Sequence, residues 1–247
     1  MLYLIGLGLN DEEDLTLKAL NILKQCDKIY AEFYTNVWQG SMENLEKLIG
    51  KPLNIIEREK VESMLLINEA KDKTISLLIP GDPLSATTHY ELIALAKQNN
   101  VNYHIIHAPS IHTAIAETGL DLYKFGRITT MPLFQKTYQP SSPYQIIESN
   151  QKIGYHTLML LDIKMTITQA LEQLLILEDI QKKNIISNSA KAIACAKLGS
   201  NDKKIIYNTI EELIKQNIKD IPAVIIIPGR LNDKEKEYLE MNANDQK

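Results

Sequence analysis

The sequence predicts an α/β protein of two domains, an N-terminal one with a mostly parallel sheet and a C-terminal one with a mixed sheet. Three observations carry this. Apolar runs alternate with helical patterns almost from the first residue, the βαβα texture of a parallel sheet. The runs LYLIGL and ISLLI are continuously apolar, as strands buried on both faces must be. After Gly119 the texture changes, and LGSNDKKI (Leu198–Ile205) reads as a hairpin connection, which brings antiparallel pairing into the second half. The expected domains are residues 1–119 and 120–247.

In order, Leu2–Leu7 reads as a strand. Leu15, Ala19, Ile22, Leu23 and Cys26 then recur at helical spacing. Asn10, with Glu13 three residues on, is the expected cap. Lys28–Phe33 is the next strand, Ser41–Ile49 a helix, Pro52–Ile56 a strand and Val61–Ala70 a helix. Thr74–Ile79 is a strand that stops at Pro80. Thr88 and Glu91 predict a capping box for a helix to about Lys97. Asn102–Ile106 is a strand, and Ser110 caps a short helix to about Glu117. In the second half, strands are expected at Thr129–Leu133, Thr157–Leu161, Lys191–Ala196, Lys204–Tyr207 and Ala223–Ile227. Helices are expected at Ile167–Leu177, Ile210–Gln216 and beyond Asn232. Lys136–Gln145 reads as a polar loop, and the tail Asn242–Lys247 as frayed.

The bulk numbers narrow the function. With 247 residues, 45% of them apolar, the chain can bury a sizeable core. No apolar run approaches the roughly 20 residues of a membrane helix, and the N-terminus shows no basic leader or cleavage site. The net charge of −4, with scattered lysines, argues against a nucleic-acid partner. Cys26 and Cys195 are too few for a disulfide or metal framework and read as small core residues of a cytoplasmic protein.

Ligands of open α/β sheets bind beyond the carboxyl ends of the strands. Four segments there carry unusual residues: GLGLND, PGDPLSAT, HAPSIHT and LDIK. Gly6 and Gly8 suggest a dinucleotide fingerprint, but Asp11 stands where a third glycine belongs, and Asp11, Glu12, Glu13 and Asp14 would repel a pyrophosphate. The glycines still let the backbone approach a ligand closely, though that ligand need not be a phosphate. In PGDPLSAT, Gly81 permits a conformation or contact that a side chain would block. Asp82 has two readings, an Asx turn bonded to its own backbone or a carboxylate facing a cationic ligand. His104, His107 and His112 lie close in sequence but fit no metal-ligand spacing. No GxSxG is present. The set describes a site that binds and positions a ligand, without metal and without an assignable catalytic residue.

The blocks LYLIGLGLNDEEDLTLKAL, AEFYT (Ala31–Thr35), LIPGDPLSATTH, Ile106–Gly126 and HTLMLLDIK (His156–Lys164) resemble the diphthine synthase family. That family is a branch of the tetrapyrrole (precorrin) methylase class of S-adenosylmethionine-dependent methyltransferases. The resemblance spans essentially the whole chain. It implies a two-domain tetrapyrrole-methylase-like α/β homodimer with S-adenosylmethionine in the cleft between the domains and S-adenosylhomocysteine as product. The implied acceptor is the 3-amino-3-carboxypropyl-histidine of translation elongation factor 2, methylated repeatedly on its amino group. Carried over residue by residue, the implied cofactor positions are Leu9, Asp82, Ser85, Ser110, Ile111, Leu161, Leu198 and Ala223, and the residue reading adds Gly81. Relatives can carry a histidine where Ala223 stands. A methylase for a small tetrapyrrole and a non-catalytic cofactor-binding module are the rival readings.

Overall fold

The computed structural model describes residues 1–244 and forms two compact units, Met1–Ala114 and Ile115–Lys247. The N-terminal unit is built on strands β1 (Leu2–Gly6), β2 (Lys28–Ala31), β3 (Leu53–Ile55), β4 (Ile75–Ile79) and β5 (Tyr103–Ile106). They form one sheet in the order β3-β2-β4-β1-β5. Every pairing is parallel, with Leu4 beside both Leu77 and Ile105. The expectation of a mostly parallel first sheet holds. All five residues of β4 are buried, which is why it reads as an unbroken apolar run. Two cores flank the sheet. One gathers Leu2, Leu4, Leu66, Ile67, Leu77 and Leu92. The other gathers Ile5, Leu7, Leu23, Cys26, Leu45 and Leu78.

The helices of this unit are α1 (Leu17–Leu23), α2 (Met42–Ile49), α3 (Arg58–Val61), α4 (Leu65–Asp72), α5 (Tyr90–Gln98) and α6 (Ile111–Ala114). Several caps differ from expectation. Thr16 caps α1 by accepting from the Ala19 N–H, while Asp11 caps a single 3-10 turn at Glu12–Asp14, so Asn10 is not the cap. The α5 cap is His89, with no side-chain bond, so the Thr88–Glu91 box does not form. The helix expected over Val61–Ala70 is two. The Ser63 hydroxyl donates to the Lys60 carbonyl and accepts from the Leu65 N–H, offering the backbone a local alternative to the helical ladder.

The C-terminal unit is built on β6 (Thr129–Met131), β7 (Thr157–Leu161), β8 (Lys191–Ala196), β9 (Lys204–Thr209) and β10 (Ala223–Ile227), ordered β6-β7-β10-β8-β9. β6 and β7 run parallel and the other pairs antiparallel, the mixed sheet expected. Its helices are α7 (Ser142–Lys152), α8 (Ile167–Gln181), α9 (Ile210–Lys215) and α10 (Asp233–Asn244). Helix α7 starts inside the segment expected to be a loop. Pro143 sits in its first turn, where a missing N–H costs nothing, and Tyr144 and Ile147 turn inward behind it. Helix α10 continues to Asn244, and the rest of the tail expected to fray at 242–247 lies outside the described residues.

Candidate functional site

Three segments that follow β1, β4 and β5 meet at the carboxyl end of the parallel sheet. β1 lies between β4 and β5, so the two outer loops can touch only by arching over its last residue, Gly6. A Cβ on Gly6 would stand 2.5 Å from the Gly81 carbonyl oxygen and 2.6 Å from the Ala108 Cβ. Gly6 is therefore where both loops close over the strand. The next glycine pairs with the opposite loop. Gly8 N–H donates to the Gly81 carbonyl at 3.2 Å, and Gly81 N–H returns a bond to the Gly8 carbonyl at 2.8 Å. The close approach was expected toward a ligand; what the structure shows is one segment's backbone against the other's.

Asp14 fixes the first segment. Its carboxylate accepts from the Leu9 N–H at 2.8 Å and the Asn10 N–H at 2.7 Å. Asp82 fixes the second and third. One oxygen accepts from the Leu84 N–H at 3.0 Å and the Ser85 hydroxyl at 3.3 Å. The other accepts from His107 Nδ1 at 2.7 Å and the Ala108 N–H at 3.4 Å. Burial pushes the Asp82 carboxyl up, but the Leu84 N–H, His107 and the Ala108 N–H outweigh it and hold it below the ordinary range. The Asx-turn reading of Asp82 is borne out by the Leu84 N–H bond, and the oxygen expected to face a ligand faces an imidazole of the chain. Gly81, at φ 72°, has nothing within 4 Å of the place its Cβ would take, so its outer face is open.

The candidate positions fall into two sets. Leu9, Gly81, Asp82, Ser85, Ser110 and Ile111 lie in the three segments just described. Ser110 is buried and caps α6, accepting from the His112 N–H at 3.3 Å. Leu161, Leu198 and Ala223 lie in the C-terminal unit. β10 runs antiparallel to β7 and β8, so Ala223, its first residue, stands beside Ala196 at the end of β8, and Val224 beside Leu160 near the end of β7. That brings these three positions to one end of the mixed sheet. In LDIK, Asp162 accepts from the Leu133 and Ile163 N–H groups and shapes the turn after β7. Among the described residues no group of three His, Cys, Asp or Glu side chains could hold a metal.

One cluster escaped the sequence reading. Glu32, directly after β2, is fully buried and accepts from the Tyr34 and Thr35 N–H groups and, at 2.5 Å, from the Thr35 hydroxyl. His89 lies beside it with Nε2 at 3.7 Å from the carboxylate and 3.4 Å from the Tyr34 hydroxyl. Burial drives His89 down to about 4, so its ring is neutral at physiological pH. The glutamate in AEFYT, set at the end of an apolar strand, was the available signal.

The family model of Tetrapyrrole (Corrin/Porphyrin) Methylases matches residues 1–214. The chain belongs to this family of S-adenosylmethionine-dependent methyltransferases. Within it, the chain is 44% identical to the diphthine synthase of Methanococcus maripaludis strain S2 over 97% of both chains, and 44% identical to that of Methanocaldococcus jannaschii, again over 97% of both. A solved structure of diphthine synthase superposes with a TM-score of 0.90 at 34% identity, covering 98% of this chain and 96% of that one.

Proposed function

We propose that the protein uses S-adenosylmethionine to methylate, repeatedly, the amino group of the 3-amino-3-carboxypropyl-histidine of translation elongation factor 2, a step of diphthamide biosynthesis. The similarity to diphthine synthases over nearly the whole chain supports this. The observation that carries it is the charge of the site. The segments after β1, β4 and β5 contain Asp11, Glu12, Glu13, Asp14 and Asp82 and not one lysine or arginine. Such loops suit a cationic cofactor and an amine acceptor. A tetrapyrrole acceptor rich in carboxylates would need basic partners there.

The residues fit the cofactor. Gly81 leaves an open face over a loop stiffened by Pro80 and Pro83, which lowers the cost of ordering on binding. Leu9, Gly81, Ser85, Ser110 and Ile111 would hold it. When bound, it supplies a methyl group already activated on a positive sulfur. The chain's part is alignment. Holding donor and acceptor in line can contribute roughly 7–11 kcal/mol, and the loops pinned by Asp14, Asp82 and the Gly8–Gly81 pair are built for that. Asp82 contributes by shaping the loop, since its own lone pairs are taken. A cytoplasmic homodimer, without metal, completes the proposal.

The test is the intact mass of elongation factor 2 bearing the unmethylated histidine modification, after incubation with the protein and S-adenosylmethionine. Successive methyl additions to that residue are expected. Cofactor binding with no mass gain would leave a cofactor-binding module instead.

A further inference from the structure

We propose that His107, oriented by Asp82, takes the proton from the acceptor amine in each round of methyl transfer. This deepens the methyl-transfer reading above and rests on it. An amino group reaches a neutral-pH site mostly as ammonium, and only the deprotonated nitrogen has an electron pair to give. In each round one N–H bond breaks, its proton goes to Nε2 of His107 and its electron pair stays on nitrogen. That pair forms the new N–C bond as the C–S bond breaks, its electrons remaining on a sulfur that becomes a neutral thioether. The methylated nitrogen is a cation again, with one N–H fewer than before. Every round thus sheds one proton, and a residue serving several rounds must pass it to water each time.

His107 has the geometry for both duties. Asp82 is ionised and can only accept, so the 2.7 Å contact requires the hydrogen on Nδ1. Nε2 is then left with a free pair. The imidazole is 70% exposed, while the carboxylate that orients it is 8% exposed. A fixed ring with one open nitrogen can take a proton and hand it to solvent. The groups facing this pair are few. Asp82 approaches from the β4–α5 loop. From α6, half-buried His112 faces the same carboxylate, and burial pushes its pKa down, so at neutral pH it adds no charge.

The other histidines lack one requirement or the other. His89 and His156 are buried. His112 Nε2 is buried without a partner. His104 is exposed and stacks on Tyr3 at 5.3 Å, and among the described residues no carboxylate orients its ring. Two of the acids in these loops are spent on the loops themselves: Asp14 accepts from the Leu9 and Asn10 N–H groups, and Asp82 from the Leu84 and Ala108 N–H groups. Asp82 is, on this view, a positioning residue.

The experiment uses the full chain, S-adenosylmethionine and elongation factor 2 carrying the unmethylated modification. Single-turnover methyl transfer and the cofactor dissociation constant are measured for wild type, His107→Ala, His107→Gln and Asp82→Asn. His107→Ala and His107→Gln should transfer about 100- to 10,000-fold more slowly, with cofactor affinity within about threefold of wild type. Added imidazole should raise the rate of His107→Ala and leave wild type unchanged. Without any substrate, the nitrogen resonances of the His107 ring should show the hydrogen on Nδ1 in wild type and lose that preference in Asp82→Asn. Transfer by His107→Ala within about fivefold of wild type would overturn the proposal. So would a deficit that imidazole cannot reduce, or one matched by an equal loss of cofactor binding. Wild type that transfers no methyl at all would sink the methyl-transfer reading, and the proposal with it. That outcome is visible before any variant is compared.

Discussion

One acid–histidine pair from each unit, Asp82–His107 and Glu235–His156, can be set side by side, and the two are put to different uses. In the N-terminal unit His107 meets Asp82 at 2.7 Å, and in the C-terminal unit His156 meets Glu235 at 2.9 Å. His156 is fully buried and both its nitrogens are engaged. Nε2 faces Glu235, and Nδ1 accepts from the Gly229 N–H at 2.9 Å. Glu235 also accepts from the Asp121 and Asn232 N–H groups and from Lys124. Nothing in that network is left to act on a substrate, so it fixes the entry to α10. The N-terminal pair spends one nitrogen on orientation and leaves the other open. The same residue types give a staple where every lone pair is used and a reactive group where one is spared.

The comparison predicts opposite mutational signatures. The largest effect on stability belongs to the closed pair. Glu235→Ala leaves a buried imidazole and a half-buried ammonium without their partner, and should cost about 3–5 kcal/mol in denaturant unfolding. The closed pair also sets an acid limit. Burial pushes the Glu235 carboxyl up, but Lys124, the Asn232 N–H and His156 outweigh it and bring it to about 2. A carboxyl depressed on folding contributes stability that is fully present above its unfolded value, about 4.3, and is lost as pH falls toward about 2. Wild type should therefore lose stability across that window, and Glu235→Gln should lose less across the same window. An equal acid loss in both would show that Glu235 is not the group responsible.

The open pair is broken most directly from beneath. Gly6→Ala drives a methyl group into the Gly81 carbonyl and the Ala108 side chain, and overpacking of this kind costs about 1–3 kcal/mol. Because the two loops meet over that residue, the variant should also separate Asp82 from His107. A crystal structure of Gly6→Ala with the 2.7 Å contact intact would refute the arch over β1.

These contrasts mark what the sequence could and could not convey. Strand positions were legible because burial on both faces writes itself as an apolar run. Thr157–Leu161, Lys191–Ala196 and Ala223–Ile227 have the expected bounds. Helix α7 was hidden by Pro143, which suggests a loop to the eye but is at home in a first helical turn. The caps at Thr16 and His89 were misread because candidate capping residues crowd both helix starts, and only the backbone path selects among them. The glycine-bearing turns that form the site were legible as turns. The pairing of Asp82 with His107 was not. The two residues are 25 apart in sequence and belong to strands separated by β1, and nothing local to either one records that they meet. Gly6 held the one clue, since a glycine ending a central strand leaves room for neighbouring loops to cross.

The smallest expected effect on stability gives the sharpest test of the central claim, that the joined loops at the end of the parallel sheet hold S-adenosylmethionine. Gly81→Asn separates backbone strain from occupied space. Asparagine tolerates the left-handed conformation at φ 72°, and no described residue obstructs its first side-chain atom. Unfolding free energy should change by no more than about 0.5 kcal/mol. The side chain would instead fill the open face where the cofactor is proposed to sit. Calorimetric titration should give one site per chain for wild type and no measurable binding for Gly81→Asn. A variant that binds S-adenosylmethionine within a few-fold of wild type, with its stability unchanged, would contradict the account and move the cofactor away from this loop.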